Sequence, residues 1–164
     1  MTQPITRMRR VLDWHAAVLS GLISGIIFIL LNLLIIPGFL EQDIWIMIRD
    51  IASIFLGEEH LTNPPVFDPK VFILVVIIHF SFSALFAFLI AYIIYRWGLL
   101  VGIIGGAFLG LGVYGIDLYV LSYFSPWFEF IKSWPLMVSH IIFGASAGGI
   151  YELFEIERFV AAEN

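Results

Sequence analysis

Four stretches of this chain are each long and apolar enough to cross a lipid bilayer, and that leaves few folds open to it. They run from about Trp14 to Ile36, Val71 to Tyr95, Leu99 to Ser122 and Trp134 to Phe154. An α-helix rises 1.5 Å per residue, so about 20 apolar residues cross a hydrocarbon core of about 30 Å. Lipid offers no hydrogen-bond partner to a bare backbone, so such a stretch must be helical or part of a closed barrel. These runs are too long for barrel strands of about 9–11 residues. Charged residues make up 13% of the 164 residues, against about 25% in soluble domains. The sequence therefore predicts an all-α integral membrane protein, a four-transmembrane-helix bundle forming a single membrane domain over residues 1–164.

The segments between the spans are short, apart from the one that joins the first two. Within it, Ile44–Leu56 carries Ile44, Met47, Ile48, Ile51 and Phe55 on one helical face and Arg49, Asp50 and Ser53 on the other. Thirteen residues are too few to span, so the pattern predicts an interfacial amphipathic helix over 44–56, with a buried re-entrant segment as the alternative. Asn63-Pro64-Pro65 and Asp68-Pro69 then break the backbone before the second span. The first span begins after Arg7, Arg9 and Arg10, yet it is longer than the apolar core of a signal peptide, and no small-residue cleavage pattern follows. It reads as a retained helix.

Arg7, Arg9, Arg10, Arg96 and Arg158 fall on the side of the termini, and Arg49, Lys70 and Lys132 on the other. Cytoplasmic segments carry the excess of Lys and Arg, which predicts both termini in the cytoplasm and a cell inner-membrane location. Trp14, Trp97, Trp127 and Trp134 stand at span ends, where an aromatic belt would put them.

Asn32, His79, Asp117 and His140 are the costly exceptions inside the apolar runs. Counted from the non-cytoplasmic ends, all four lie roughly 7–12 Å deep at 1.5 Å per residue. Each also shares a helical stripe with small residues: Asn32 with Gly21 and Gly25, His79 with Ser83 and Ala87, and His140 with Gly144, Ala147 and Gly148. Asp117 shares its stripe with Gly98, Gly102, Gly106 and Gly110. Small residues four apart let membrane helices approach closely, so the four polar groups are expected to face one another across helix contacts rather than lipid. The bland reading of Asn32 is an interhelical hydrogen bond, and that of each His a neutral ring satisfied by a neighbour. Asp117 must be protonated, paired with an imidazolium, bound to a cation or wet. The outer acids (Glu41, Asp43, Asp50, Glu58, Glu59, Asp68) and His60 read as solvated loop.

From Val75 onward the order of features looks familiar. His79-Phe80-Ser81-Phe82-Ser83-Ala84-Leu85-Phe86-Ala87 lies in the second span, and a Gly-rich third span starts at Trp97-Gly98. Ser125-Pro126-Trp127 and Ser139-His140-Ile141-Ile142-Phe143-Gly144, with Tyr151-Glu152, follow. This resembles the bacterial inner-membrane proteins typified by YagU, over roughly residues 45–155, with Arg49-Asp50 and a Pro-containing loop before the second span. The resemblance implies a small inner-membrane protein without established enzymatic activity, with a suggested link to acid tolerance. His79, Trp127 and His140 match its pattern; Asp117 lies outside it.

Several functions are thereby removed. The chain has no Cys, so no disulfide, thiolate metal site or Cys nucleophile. A net charge of −5 gives no basic patch for nucleic acid. No nucleotide-binding loop or metalloprotease motif is present. What remains first is a non-enzymatic accessory or structural membrane protein, its partners the lipid bilayer and a membrane complex or homo-oligomer. The alternatives are an ion, proton or metal site built from His79, His140 and Asp117, bis-imidazole haem ligation by His79 and His140, and a transporter that would have to oligomerise. The sequence alone identifies no cofactor.

Overall fold

A computed structural model of the chain describes residues 8–61, 66–125, 127 and 132–161. Arg7, the Asn63-Pro64-Pro65 breaker and Pro126 lie outside the described residues. Four long apolar helices are present: α1 (Trp14–Phe39), α3 (Pro69–Ile94), α4 (Leu99–Phe124) and α5 (Trp134–Phe154), with the shorter α2 (Ile44–Leu56) between the first two. This is the expected helical bundle. Three of the helices start on an aspartate. Asp13 accepts from the amides of His15 and Ala16, Asp43 from Trp45, and Asp68 from Lys70 and Val71, with Pro69 in the first turn of α3. An acceptor at the cap satisfies amides that the first turn leaves unbonded, and proline there loses nothing. α1 runs on through Pro37 to Phe39, three residues past the expected stop, because Leu40 N–H and Gln42 N–H both close on Ile36 O.

Glycine sets the packing. α4 lies along α5 with backbones in direct contact: a methyl group added at Gly106 would collide with the carbonyl of Gly144, and one at Gly110 with the carbonyl of His140. Gly102 and Gly148 face each other in the same way. α1 meets α3 at Gly21 and Gly25, where an added Cβ would come within 2.7 Å of Ala84 Cα and 2.8 Å of Ser83 Oγ. With lipid outside as apolar as the interior, close backbone approach is the main source of helix–helix attraction. Gly98 departs from the expected stripe. A Cβ added there would meet nothing, and φ is +82°, so it serves the turn into α4 rather than the glycine contact.

The ends of the chain are tied together. β1 (Met8–Val11) pairs antiparallel with β2 (Arg158–Ala161), a two-stranded clasp in what the sequence showed only as a basic start and a charged tail. Arg10 pairs with Glu155 and lies 3.4 Å from Glu157. Asp13 bridges the two ends, since its Oδ2 accepts from Ile156 N–H at 3.1 Å while Oδ1 caps α1. Burial alone would raise the Asp13 pKa. The Ile156, Ala16 and His15 amides, with the charge of Arg158, outweigh it and hold the carboxyl below its ordinary value.

α2 forms over the residues expected for the amphipathic helix, Ile44–Leu56. Its apolar face closes over the bundle, with Ile44, Met47, Ile51 and Ile54 packed around Ile36 and Leu136. Its polar face is covered by the following segment: Arg49 is only 7% exposed and donates from Nε and Nη2 to Val66 O, and from Nη1 to His60 O. Ser53 is buried too, and its Oγ accepts from the indole N–H of Trp127 at 2.9 Å. Trp127 thus pins the α4–α5 segment to α2, whereas Trp14, Trp97 and Trp134 are exposed at helix ends as a belt requires. Beside Arg49, burial pushes the Asp50 carboxyl up to about 6. The expected solvated loop therefore supplies the carbonyls that a guanidinium with five donors needs.

Two outcomes follow. Gly106→Ala or Gly144→Ala should lower stability in detergent by about 1–3 kcal/mol, since each overfills a backbone contact, while Gly112→Ala, with open space around it, should leave the unfolding midpoint nearly unchanged. A carboxylate with a depressed native pKa stabilises the fold above its unfolded pKa of about 3.9 and loses that contribution as pH falls through the native value. The stability gap between the wild type and Asp13→Asn, read by thermal unfolding, should therefore be present at neutral pH and shrink below about pH 4.

Candidate functional site

Asn32, His79, Asp117 and His140 all line one cavity of about 620 Å³. Its walls come from α1, α3, α4 and α5, and α2 forms its roof through Ile44, Met47, Ile48 and Ile51. α4 is held to α5 and α3 to α1 by the glycine contacts, and Ile94 packs against Gly105 where α3 turns into α4. Phe82 on α3 and Ile116 and Val120 on α4 line the cavity and are exposed on the outside. The cavity therefore opens sideways between α3 and α4, towards the position that a bilayer occupies.

The hydrogen bonds fix the state of each ring. His140 Nδ1 lies 2.8 Å from Leu136 O, one turn back on α5. A carbonyl can only accept, so Nδ1 carries a proton. His140 Nε2 lies 3.1 Å from Asp117 Oδ2. The bridge between them holds one proton whichever partner keeps it: a neutral imidazole faces a carboxylic acid, or an imidazolium faces a carboxylate. The pair has zero net charge in either form. That is how the bundle tolerates Asp117, since a lone charge in lipid costs about 2.5 kcal/mol or more.

His79 Nε2 lies 3.0 Å from Gly25 O and so donates to it, which leaves Nδ1 as the acceptor in the neutral ring. Ser83 Oγ is 3.4 Å from the same Nε2. This looks like a nucleophile beside a base, but Nε2 holds a hydrogen and has no lone pair for the Ser83 hydroxyl. Asn32 is 1% exposed; its Nδ2 donates to Phe28 O at 2.8 Å, and its Oδ1 is buried without a partner.

Phe28 is the member that sequence reasoning missed. Its ring stacks on His79 at 5.7 Å between centroids and meets His140 edge-on at 4.9 Å. The available signal was its place one turn before Asn32 on the same face of α1. The imidazoles thus share a ring neighbour rather than a ligand. Among the described residues no three His, Asp or Glu side chains are grouped as metal ligands, so the metal set of His79, His140 and Asp117 is not assembled. Bis-imidazole haem ligation meets the same obstacle, because both nitrogens of His140 are already engaged.

Asp117→Leu should cost about 1–3 kcal/mol, because it leaves the buried His140 Nε2 unsatisfied. Combining it with His140→Phe should cost less than the sum of the two single changes, with a coupling of about 0.5–3 kcal/mol in unfolding measured in micelles.

No family model matches the chain, and no curated protein or solved structure was found to be significantly similar to it. The four apolar helices establish a multi-pass membrane protein by length and composition.

Proposed function

We propose that the chain is a non-enzymatic accessory protein of a bacterial inner membrane, a structural partner in a membrane complex or homo-oligomer, with both termini in the cytoplasm. The observation that carries this reading is where the polar side chains direct their hydrogen bonds. His79 bonds to Gly25 O, His140 to Leu136 O and Asp117, and Asn32 to Phe28 O. His79–Gly25 ties α3 to α1 and His140–Asp117 ties α5 to α4, while the bonds to Leu136 O and Phe28 O stay within one helix; none presents an activated nucleophile. The resemblance to YagU-like proteins supports the same reading. So does the continuous apolar face of α4, exposed at Leu100, Ile104, Phe108 and Leu111, which suits a neighbouring helix as well as lipid.

A second reading is favoured by one observation: the His140–Asp117 bridge keeps an exchangeable proton at membrane depth. In that reading the cluster handles protons, and Asp117→Asn reduces the survival of cells in acid.

Two measurements test the main reading. Because the chain has no Cys, single cysteines report topology cleanly. Glu59→Cys should react with a membrane-impermeant maleimide in intact cells, and Arg96→Cys only after lysis; the reverse pattern overturns the orientation. After extraction in mild detergents the protein should run on native gels well above the monomer mass. A species that stays monomeric under every condition contradicts the accessory role.

A further inference from the structure

The cavity is a slot that reaches only part of the way across the bilayer. Along α3 it is lined from Phe72 to Phe86, a run of about 21 Å at 1.5 Å per residue. α3 itself has 26 residues, about 39 Å. α2 covers one end of the slot through Ile44, Met47 and Ile48. The other end is shut where α3 and α4 converge, with Ile94 against Gly105. Between these ends the slot opens sideways, at Phe82, Ile116 and Val120. Its wall is mostly Phe, Ile, Leu, Val and Met. The polar groups there are turned to the protein: His79 bonds to Gly25 O, His140 to Leu136 O and Asp117, and Asn32 Oδ1 is shut off from the open space. The pairing of Asp117 with His140 leaves no net charge to attract a charged head.

We propose that this slot holds one acyl chain of a phospholipid from the leaflet on the α2 side, entered between α3 and α4, with the methyl end of the chain towards Phe86. The length of the slot selects this occupant. One leaflet with its head groups is about 20 Å thick, close to the run from Phe72 to Phe86, and an acyl chain ends near the midplane. A membrane-spanning helix of a second copy continues through both leaflets and would meet the shut end. A chain in the slot gains van der Waals contacts along its length, whereas apolar walls give water few partners. The inference goes beyond the accessory role and does not depend on it, since a monomer has the whole slot.

The test uses the full-length protein in vesicles of palmitoyl-oleoyl-phosphatidylcholine, doped with a phosphatidylcholine that carries a diazirine either near the methyl end of one chain or near its carboxyl end. After irradiation, mass spectrometry maps the adducts. The methyl-end probe should label Phe86 and Phe143, a wall residue only 4% exposed, and the carboxyl-end probe should label Phe72. Val120→Trp narrows the opening; it should lose the Phe143 adduct and keep one at Phe108, which is exposed on the outside of α4, with circular dichroism confirming that the variant is folded. Should that variant fail to fold, the dependence of labelling on diazirine position in the wild type decides alone. Adducts confined to outward residues such as Phe108, the same adducts from both probes, or a Phe143 adduct that survives in folded Val120→Trp overturns the proposal. A disulfide-linked dimer of oxidised Val120→Cys, with no adduct at Phe143, also overturns it and puts a second copy at the opening.

Discussion

The bundle depends on the contact between the backbones of α4 and α5. Gly106 against Gly144, and Gly110 against the carbonyl of His140, leave no room for a side chain between the two helices. That contact fixes both the separation and the register of the pair. Asp117 lies seven residues beyond Gly110 on the same face, and the register brings its carboxyl to 3.1 Å from His140 Nε2. The polar bridge is thus a consequence of the apolar packing. Separate the helices by one methyl group, and Asp117 is left in lipid as an unpaired acid.

The same logic shapes the cavity. Each of α3 and α4 has a glycine-bearing neighbour, α1 and α5 respectively, and the two touch one another near the turn that joins them. Space therefore remains between their far ends. α2 covers that space from above and is itself held on its polar side by Arg49 and Ser53. Asn32, His79, Asp117 and His140 stand around this opening, while Ser20, Ser24 and Ser139 are buried away from its wall. Asp13 and the β1–β2 clasp do a different task at the other end, joining the start of α1 to the end of α5.

Much of this was legible in the sequence because lipid simplifies the rules. Span existence followed from length and hydropathy, and the helix contacts followed from the four-residue spacing of Gly and Ala. Asn32, His79, Asp117 and His140 stood out because few polar groups are tolerated there. What escaped depended on contacts between distant segments. Nothing local to Met8–Val11 or Arg158–Ala161 announces a strand pair, since each run is short and its partner is some 150 residues away. The partners of Arg49 escaped notice because the carbonyls of His60 and Val66 that bind it carry no side-chain signature. Phe28 is one apolar residue among many in α1, and only the fold shows that it stands against both imidazoles. Similar depth puts His79, Asp117 and His140 around one cavity, but hydrogen bonding to backbone carbonyls had already set the direction of each ring.

The central claim is that His140 is fixed by Leu136 on one side and shares a proton with Asp117 on the other. Nitrogen-15 NMR of the imidazoles in bilayers tests it most directly. The account predicts that His140 Nδ1 carries a hydrogen, and that Asp117→Asn shifts the Nε2 resonance strongly while leaving that of His79 in place. A His140 with Nδ1 unprotonated, or an Nε2 signal indifferent to residue 117, would contradict it.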